Sequence, residues 1–562
     1  MDCEKKLRAC WFVSPSTKLL LLMVPLVAVA GLVAVAAPRK SPAGDLVSAY
    51  SWLWSSSRSY SSPTRTPILD AALQIPVLHA EAGDGGSGRG GSAVGPPAPD
   101  PPLMVVGVQK MERAVSDDSL APEPSASPPL AAERPPNKTS SATKEGTSDF
   151  SVNVARNNVP VFNESYGFVE KAWQKRVDTD LERLEAGLRR ARSGIREAKT
   201  GNPMEDPDYV PVGPMYRNAN AFHRSYLEME KQFKIFVYKE GDPPVFHNGP
   251  CKSIYAMEGN FIHMVEINKR FRTEDPREAH VFFLPFSVAM MVQFVYVRDS
   301  HDFGPIKRTV IDYIDVVAGK YPYWNRSLGA DHFMLACHDW GPEASFAVPH
   351  LHRNSIRVLC NANTSEGFDP SKDVSFPEVN LHTGAIGGLI GGPSPSHRSI
   401  LAFFAGGLHG PIRPILLQHW ENKDEDVKVH RYLPRGVSYY DMMRRSKFCI
   451  CPSGYEVASP RVVEAIYTGC VPVLISDHYV PPFSDVLNWR SFSVEVTVRE
   501  IPNLKTILAS ISSRQYIRMQ RRVAQVRRHF EVHSPPKRYD VFHMILHSVW
   551  LRRLNVGLSD NQ

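Results

Sequence analysis

From residue 233 onward, short apolar runs alternate with stretches in which apolar residues recur every three or four positions. The apolar runs predict buried strands at 234–238, 279–285, 332–337 and 356–361. The stretches near 253–270 and 305–318 predict helices. Strands that alternate with helices indicate a parallel sheet covered by helices on both faces.

A second series of the same kind follows a Gly/Pro/Ser-rich segment at 378–397, which we interpret as a hinge. Strands are predicted at 399–405, 427–433, 448–451 and 471–475, and helices at 411–420 and 439–446. Two more helices, 515–530 and 538–552, are expected to pack back across both halves. The predicted fold class is therefore α/β, with two doubly wound Rossmann-like domains that face a cleft.

Residues 449–477 are the most informative stretch of the second series. A strand leads through a Pro-Ser-Gly turn into a helix that carries Arg461 and Glu464, and Gly469 ends that helix before another buried strand. Backbone amides at the helix start and the guanidinium group of Arg461 can hold a diphosphate. Glu464 can accept hydrogen bonds from ribose hydroxyls, so the unit suits a nucleotide-sugar.

The N-terminal region has a different pattern. Residues 19–37 form an uncharged apolar run of about the length that a bilayer-spanning helix needs. Lysines and arginines precede it, which favours a signal anchor with a cytosolic N-terminus, and a cleaved signal peptide is the alternative. Residues 38–160 are rich in Ser, Pro, Gly and Ala and predict a flexible stem. An amphipathic helix at 164–199 is expected to pack on the globular part or to pair with another chain.

Composition adds little to this picture. A net charge of +7 over 562 residues, without a dense basic block, argues against nucleic acid as a partner. Asn137, Asn163, Asn325 and Asn363 lie in glycosylation sequons, which fits a lumenal domain. Six cysteines would be lumenal, and one or two disulfides are expected among them, but Cys449 and Cys451, two residues apart in one predicted strand, are not expected to bond each other.

Several sequence blocks resemble the exostosin-type glycosyltransferases of family GT47, especially the plant members near the xylogalacturonan xylosyltransferases. The blocks are FKIFVYKEGDPPVFHNGPC, AHVFFLPFS, GADHFMLACHDWGP, FFAGG, PPFSDVLNW and the 449–477 unit, in this order. The resemblance runs from about residue 208 to about residue 554.

The resemblance implies a GT-B architecture and an inverting transfer from a UDP-sugar. The expected organisation is a cytosolic tail (1–18), a transmembrane anchor (19–37), a lumenal stem (38–160), an amphipathic helical segment (161–207), an acceptor half (208–390) and a donor half (391–555). The expected protein is a single-pass type II enzyme of the Golgi membrane whose catalytic domain is lumenal. UDP-xylose is the first donor hypothesis and a cell-wall polysaccharide such as pectin the first acceptor hypothesis.

The donor-site candidates cluster in the second half. They are Arg461, Glu464, Ser453, Gly454, Glu456, Ser459, Arg413, Gly406 and Gly407. Gly406 and Gly407 follow a strand and allow the backbone to approach a phosphate closely. Glu456 and Glu464 are eight residues apart, and Glu456 is interpreted either as a donor-sugar contact or as a loop charge.

The candidate bases lie in the first half, because an inverting transfer needs one group to take the acceptor proton. Asp339 and His338 end a predicted strand and are the first candidates, and Asp331, which begins it, is the third. The alternative for Asp331 is a turn cap.

Neither of the Asp-x-Asp pairs Asp178/Asp180 and Asp424/Asp426 follows a buried strand, so no metal is expected, and no tightly bound cofactor. The expected partners are a UDP-sugar, a glycan acceptor, the membrane and other glycosyltransferases in a homo- or hetero-complex. The main alternative function is a non-catalytic GT-B scaffold in a polysaccharide synthase complex. A carbohydrate-binding module and a manganese-dependent GT-A enzyme are weaker alternatives.

Overall fold

The strands of this chain form two separate parallel sheets. The computed structural model describes residues 164–202 and 204–558, with side chains from residue 179 onward. All of these residues belong to one compact unit. The predicted tail, anchor and stem lie outside the described residues. Within them, no helix is both long and apolar enough to cross a membrane.

The first sheet has six strands. They are β1 (Ile235–Val237), β2 (Arg272–Thr273), β3 (Val281–Phe283), β4 (His332–Ala336), β5 (Ile356–Leu359) and β6 (Val374–Ser375). Their spatial order is β2-β1-β3-β4-β5-β6, and every pairing is parallel. The strands β1, β3, β4 and β5 are buried throughout because helices cover both faces of the sheet.

The second sheet has five strands. They are β7 (Ile400–Ala405), β8 (Val427–His430), β9 (Ser446–Pro452), β10 (Val471–Ile475) and β11 (Val494–Glu495). Their order is β11-β10-β9-β7-β8, again all parallel. In the first sheet, β1 lies between β2 and β3, and in the second sheet, β7 lies between β8 and β9. The direction in which strands are added therefore reverses between β1 and β3 and between β7 and β9. Such switch points open a crevice at the carboxyl ends of the strands.

Fourteen α-helices are described. Those that precede the second sheet are α1 (Glu164–Ala198), α2 (Ala219–Gln232), α3 (Ala256–Ile267), α4 (Val288–Phe294), α5 (Gly304–Lys320), α6 (Pro322–Ser327), α7 (Gly341–Phe346) and α8 (Pro349–Arg353). The others are α9 (Ile412–Trp420), α10 (Tyr439–Arg445), α11 (Arg461–Thr468), α12 (Leu504–Ser510), α13 (Ser513–Val526) and α14 (Val541–Asn555).

The first and last helices pack onto the sheets. Helix α14 is buried along most of its length and contacts α2, β5 and β6, which confirms that the C-terminus returns to the first half. Arg553 in α14 forms a buried ion pair of 2.5 Å with Glu185 in α1. Leu188 of α1 is fully buried as well. The amphipathic helix therefore packs on the globular part, as the first interpretation predicted.

Two disulfides join neighbouring strands. Cys337 and Cys360 directly follow β4 and β5, and their bond ties together the carboxyl ends of these strands. Cys449 in β9 is bonded to Cys470, which directly precedes β10. The Cys451 thiol is free and buried, so Cys449 and Cys451 are not bonded to each other, as expected.

Candidate active site

The carboxyl ends of the two sheets meet along a cleft. The segment after β10 bonds to the segments that follow β5 and β6: Val480 N donates to Ala362 O over 3.0 Å, and Phe483 N donates to Ser375 O over 3.0 Å. The Asn361 amide, just after β5, donates to the Glu456 carboxylate over 2.6 Å. Side chains from both halves thus share one site.

Arg461 lies at the β7/β9 switch point and is held by the second sheet. Its guanidinium group donates to Ala405 O over 3.0 Å and stacks on Phe404, with 4.7 Å from Cζ to the ring centroid. Burial lowers its pKa, but Tyr439, Cys451 and Glu464 outweigh burial and raise it. Its buried Nε atom has no hydrogen-bond partner. Arg461 is therefore a fixed cation with unused donor capacity.

Arg413 brings a second guanidinium group to the same place. Burial, and then the charge of Arg461, lower the pKa of Arg413 to about 10. Its Nε atom is also buried without a hydrogen-bond partner. No carboxylate among the described residues forms an ion pair with either guanidinium group. Glu378 and Glu464 act on these cations from a longer distance. Two neighbouring guanidinium groups with free donors are suited to bind a multiply charged anion.

Glycines let the two loops of the switch point touch. Gly410, after β7, has a φ of +70°, and a Cβ atom there would lie 1.7 Å from Gly454 O, after β9. A Cβ atom at Gly406 would lie 2.9 Å from a guanidinium nitrogen of Arg461, and one at Gly407 would lie 3.1 Å from His409. Gly406 thus leaves open the space beside the Arg461 cation. Gly407 does not border either guanidinium group.

Glu464 is buried in the first turn of α11, and both of its carboxylate oxygens are fixed. Tyr439 OH donates to Oε2 over 3.0 Å, and Tyr440 OH donates to Oε1 over 3.1 Å. Each oxygen keeps a second lone pair for a ribose hydroxyl. The two tyrosines begin α10 and were missed by the sequence analysis, because nothing in their spacing relates them to Glu464.

The loop 453–459 contributes less through its backbone than we predicted. The Ser453 amide donates to Ile475 O over 3.1 Å, and the Gly454 amide donates to Glu456 O over 2.9 Å. Both amides are occupied, so neither is free to hold a phosphate. Gly454 remains close to Arg413, and the Ser459 hydroxyl accepts a bond of 3.4 Å from Arg461. The positive charge of the site therefore comes from the two arginines.

Asp339 lies on the opposite side of the cleft, beyond the end of β4. Tyr255 lies beside its carboxylate, and burial, followed by the charge of Glu366, raises the pKa of Asp339. The backbone of the preceding residues is fixed by Glu258, whose Oε1 accepts from Cys337 N over 2.8 Å and from His338 N over 2.9 Å. Asp339 is thus a positioned carboxyl group with raised basicity.

His338 is a poor base in this geometry. Its Nδ1 atom accepts a bond of 3.1 Å from Trp340 N, so the neutral ring carries its proton on Nε2. Burial lowers the pKa of His338 to about 4. A ring whose only basic nitrogen is occupied cannot take a proton from an acceptor, and Asp339 is the better candidate.

Asp331 is not in the cleft. It precedes β4 and lies at the amino end of the sheet, where it is buried and bonded to Arg326 over 2.7 Å and to Ser327 over 2.6 Å. The charges of His332 and Arg326 and these hydrogen bonds outweigh burial and lower the pKa of Asp331. The prediction of Asp331 as a base is wrong because the length of β4 separates it from Asp339, and the turn-capping alternative describes it better.

Three further polar residues line the cleft and were missed. Glu378 follows β6 and is 7% exposed, and burial, followed by Asp339 and Glu464, raises its pKa well above the usual range. Asn361 donates to Glu366 over 3.1 Å as well as to Glu456. Glu378 lies in the segment that we interpreted as a hinge, where a lone carboxylate gave no signal of function.

Other predicted sites have mixed outcomes. Asn325 is exposed, whereas Asn363 is 7% exposed and caps a turn through its Oδ1 atom, so the prediction of a glycan at Asn363 is wrong for the folded chain. Asn137 and Asn163 lie outside the described residues. Within the described part of the chain, no group of three or more His, Cys, Asp or Glu side chains is arranged to hold a metal ion. Metal independence stays a prediction.

The chain is similar to known proteins of one glycosyltransferase family. A family model described as the Exostosin GT47 domain matches residues 229–511. A probable glycosyltransferase of Arabidopsis thaliana is 70% identical over 69% of this chain and 75% of its own length. A probable glucuronosyltransferase of Oryza sativa subsp. japonica is 31% identical over 51% of this chain and 72% of its own. A probable β-1,4-xylosyltransferase of Arabidopsis thaliana is 29% identical over 57% of this chain and 82% of its own length.

Proposed function

Because the chain belongs to the exostosin GT47 family of glycosyltransferases, we propose that its cleft transfers a sugar from a UDP-sugar to a cell-wall polysaccharide. The observation that carries this proposal is the pair of guanidinium groups at the β7/β9 switch point, Arg413 and Arg461, each of which has a buried Nε atom without a hydrogen-bond partner and no ion pair with a described carboxylate. A diphosphate supplies the missing negative charge. Glu464 lies one helical turn away, in reach of the ribose.

The proposed mechanism is a single inverting displacement. The diphosphate is held by Arg413 and Arg461, so the anomeric carbon lies between these cations and Asp339. The Asp339 carboxylate takes the proton of the acceptor hydroxyl, whose oxygen forms a bond to the anomeric carbon. The bond between that carbon and the diphosphate oxygen breaks on the opposite face, and the arginines stabilise the leaving charge. No metal ion is required in this scheme.

The identity of the donor sugar, the identity of the acceptor and the membrane location are hypotheses. A relative named as a probable xylosyltransferase supports UDP-xylose as the first donor to test. A pectic polysaccharide is the first acceptor to test. The apolar run at 19–37 supports a type II anchor in the Golgi membrane. The lumenal orientation agrees with the two disulfides, which form in oxidising compartments.

The test is an assay of UDP release by the purified full chain. A panel of UDP-sugars is offered with pectic and other cell-wall acceptors, with and without EDTA, and wild type is compared with Asp339→Asn. We expect acceptor-dependent release that survives EDTA and falls in the variant. UDP binding without release on any acceptor would favour a scaffold instead. Absence of UDP binding by the folded chain would contradict the proposal.

A further inference from the structure

In the proposed reaction, the donor sugar lies between the site that holds the diphosphate and the base that takes the acceptor proton. If the diphosphate lies on Arg413 and Arg461 and the acceptor proton goes to Asp339, the sugar ring occupies the space between them. This inference rests on the proposed function, since it uses the same anion site. The side chains around that space then decide which sugars fit.

These side chains are mainly acidic. Asp339, Glu366 and Glu456 are close enough that their charges affect one another. Glu378, which is buried nearby, has as its charged neighbours Asp339 and Glu464 and the two arginines. Among the described residues, the charges that act most strongly on Asp339, Glu378 and Glu456 include no cation other than Arg413 and Arg461. Both arginines are already needed for the diphosphate.

The same space offers an uncharged acceptor. Asn361 is 1% exposed, and its amide nitrogen donates to Glu366 and Glu456. Its Oδ1 atom is buried without a hydrogen-bond partner. Carboxylates and an amide oxygen accept hydrogen bonds from sugar hydroxyls. A buried acceptor without a donor is costly, and a sugar hydroxyl would remove that cost.

We propose that the donor pocket is built for a neutral sugar and rejects uronic acids, with Asp339, Glu366, Glu378 and Glu456 as the residues that repel the uronate carboxylate. A uronic acid would bring a further negative charge into a site that has no free cation to balance it. Neutral pentoses and hexoses bring only hydroxyls, which the carboxylates and Asn361 can bind.

UDP-glucose and UDP-glucuronate form a matched pair for the test, because they differ only in whether C6 is an alcohol or a carboxylate. Each is titrated by calorimetry into the full chain near pH 7, with UDP alone as the reference ligand. We expect UDP-glucuronate to bind at least about tenfold more weakly than UDP-glucose. The difference should grow toward pH 8, because Glu456, whose pKa is raised to about 7, loses its remaining protons while the arginines stay charged.

Two variants test whether the acidic side chains cause the weaker binding of UDP-glucuronate. Glu456→Gln and Glu378→Gln each remove one acidic group. At pH 8, both variants should show a smaller difference in affinity between UDP-glucose and UDP-glucuronate than wild type does. Equal or tighter binding of UDP-glucuronate by wild type, with UDP still bound, would overturn this inference and leave the nucleotide site intact. An unchanged difference in both variants would overturn the assigned cause. Failure to bind UDP would refute the proposed function itself.

Discussion

Replacement of Arg413 by methionine separates a role in ligand binding from a role in stability. Arg413 has no ion pair with a described carboxylate, and burial and Arg461 lower its pKa to about 10. The folded chain therefore holds this charge at a cost. Discounted for the partial exposure of the side chain, the cost is on the order of 1–2 kcal/mol. Methionine keeps the aliphatic stem, so Arg413→Met should leave the free energy of unfolding unchanged or raise it by up to that amount.

UDP binding should change in the opposite direction. A hydrogen bond between charged groups contributes about 1.5–3 kcal/mol. Loss of one such contact to the diphosphate weakens binding by roughly 10- to 150-fold. The loss is expected in affinity for UDP and in affinity for UDP-sugars alike, because both carry the diphosphate.

The measurement is calorimetric titration of UDP into wild type and Arg413→Met, with thermal unfolding of both proteins. The matched control is Arg431→Met, which removes an exposed arginine of the same half that lies 3.9 Å from Glu421. The control should bind UDP as wild type does. If Arg413→Met also binds UDP as wild type does, the anion site is not at this switch point. If it unfolds at a lower temperature, Arg413 has a structural role that the contacts do not account for.

Three further predictions concern the cleft and its supports. Burial, Glu366 and Asp339 raise the pKa of Glu456 to about 7, so the folded chain keeps a proton that the unfolded chain has lost, and stability falls as the pH rises from about 4.5 to 7. Glu456→Gln should therefore raise the melting temperature at pH 8 more than at pH 5, and an equal change at both would contradict the assignment. Asp339→Asn should lower turnover by about 10²-fold or more with UDP affinity retained, and an unchanged rate of UDP release would rule out this base. Removal of the bond between Cys449 and Cys470, which are 21 residues apart, should lower the free energy of unfolding by about 3 kcal/mol, and denaturant unfolding that does not change would refute it.

Much of the fold could be predicted from the sequence because its strands are continuous apolar runs. β10, predicted at 471–475, is observed as Val471–Ile475, and the helix that starts after Pro460 is observed as Arg461–Thr468. The strands β2, β6 and β11 were missed, since each has two residues and carries no periodic signal. Helix α2 was also missed.

The positions of site residues could be predicted where they follow from the order of strands and loops along the sequence. Residues that follow parallel strands meet at one edge, which correctly placed Arg413, Arg461 and Asp339 at the cleft. Contacts across the cleft could not be predicted, because Asn361 and Glu456 are 95 residues apart and meet only when both sheets are in place. The sequence also could not show that the backbone amides of Ser453 and Gly454 and the Nδ1 atom of His338 already take part in hydrogen bonds.

A structure of the full chain with UDP bound, determined by crystallography or electron cryomicroscopy, tests the central claim most directly. We predict that the diphosphate lies on the guanidinium groups of Arg413 and Arg461, that the ribose hydroxyls lie against Glu464, and that the leaving oxygen faces Asp339 across the cleft. UDP bound elsewhere on the chain, or a diphosphate that contacts neither arginine, would contradict it.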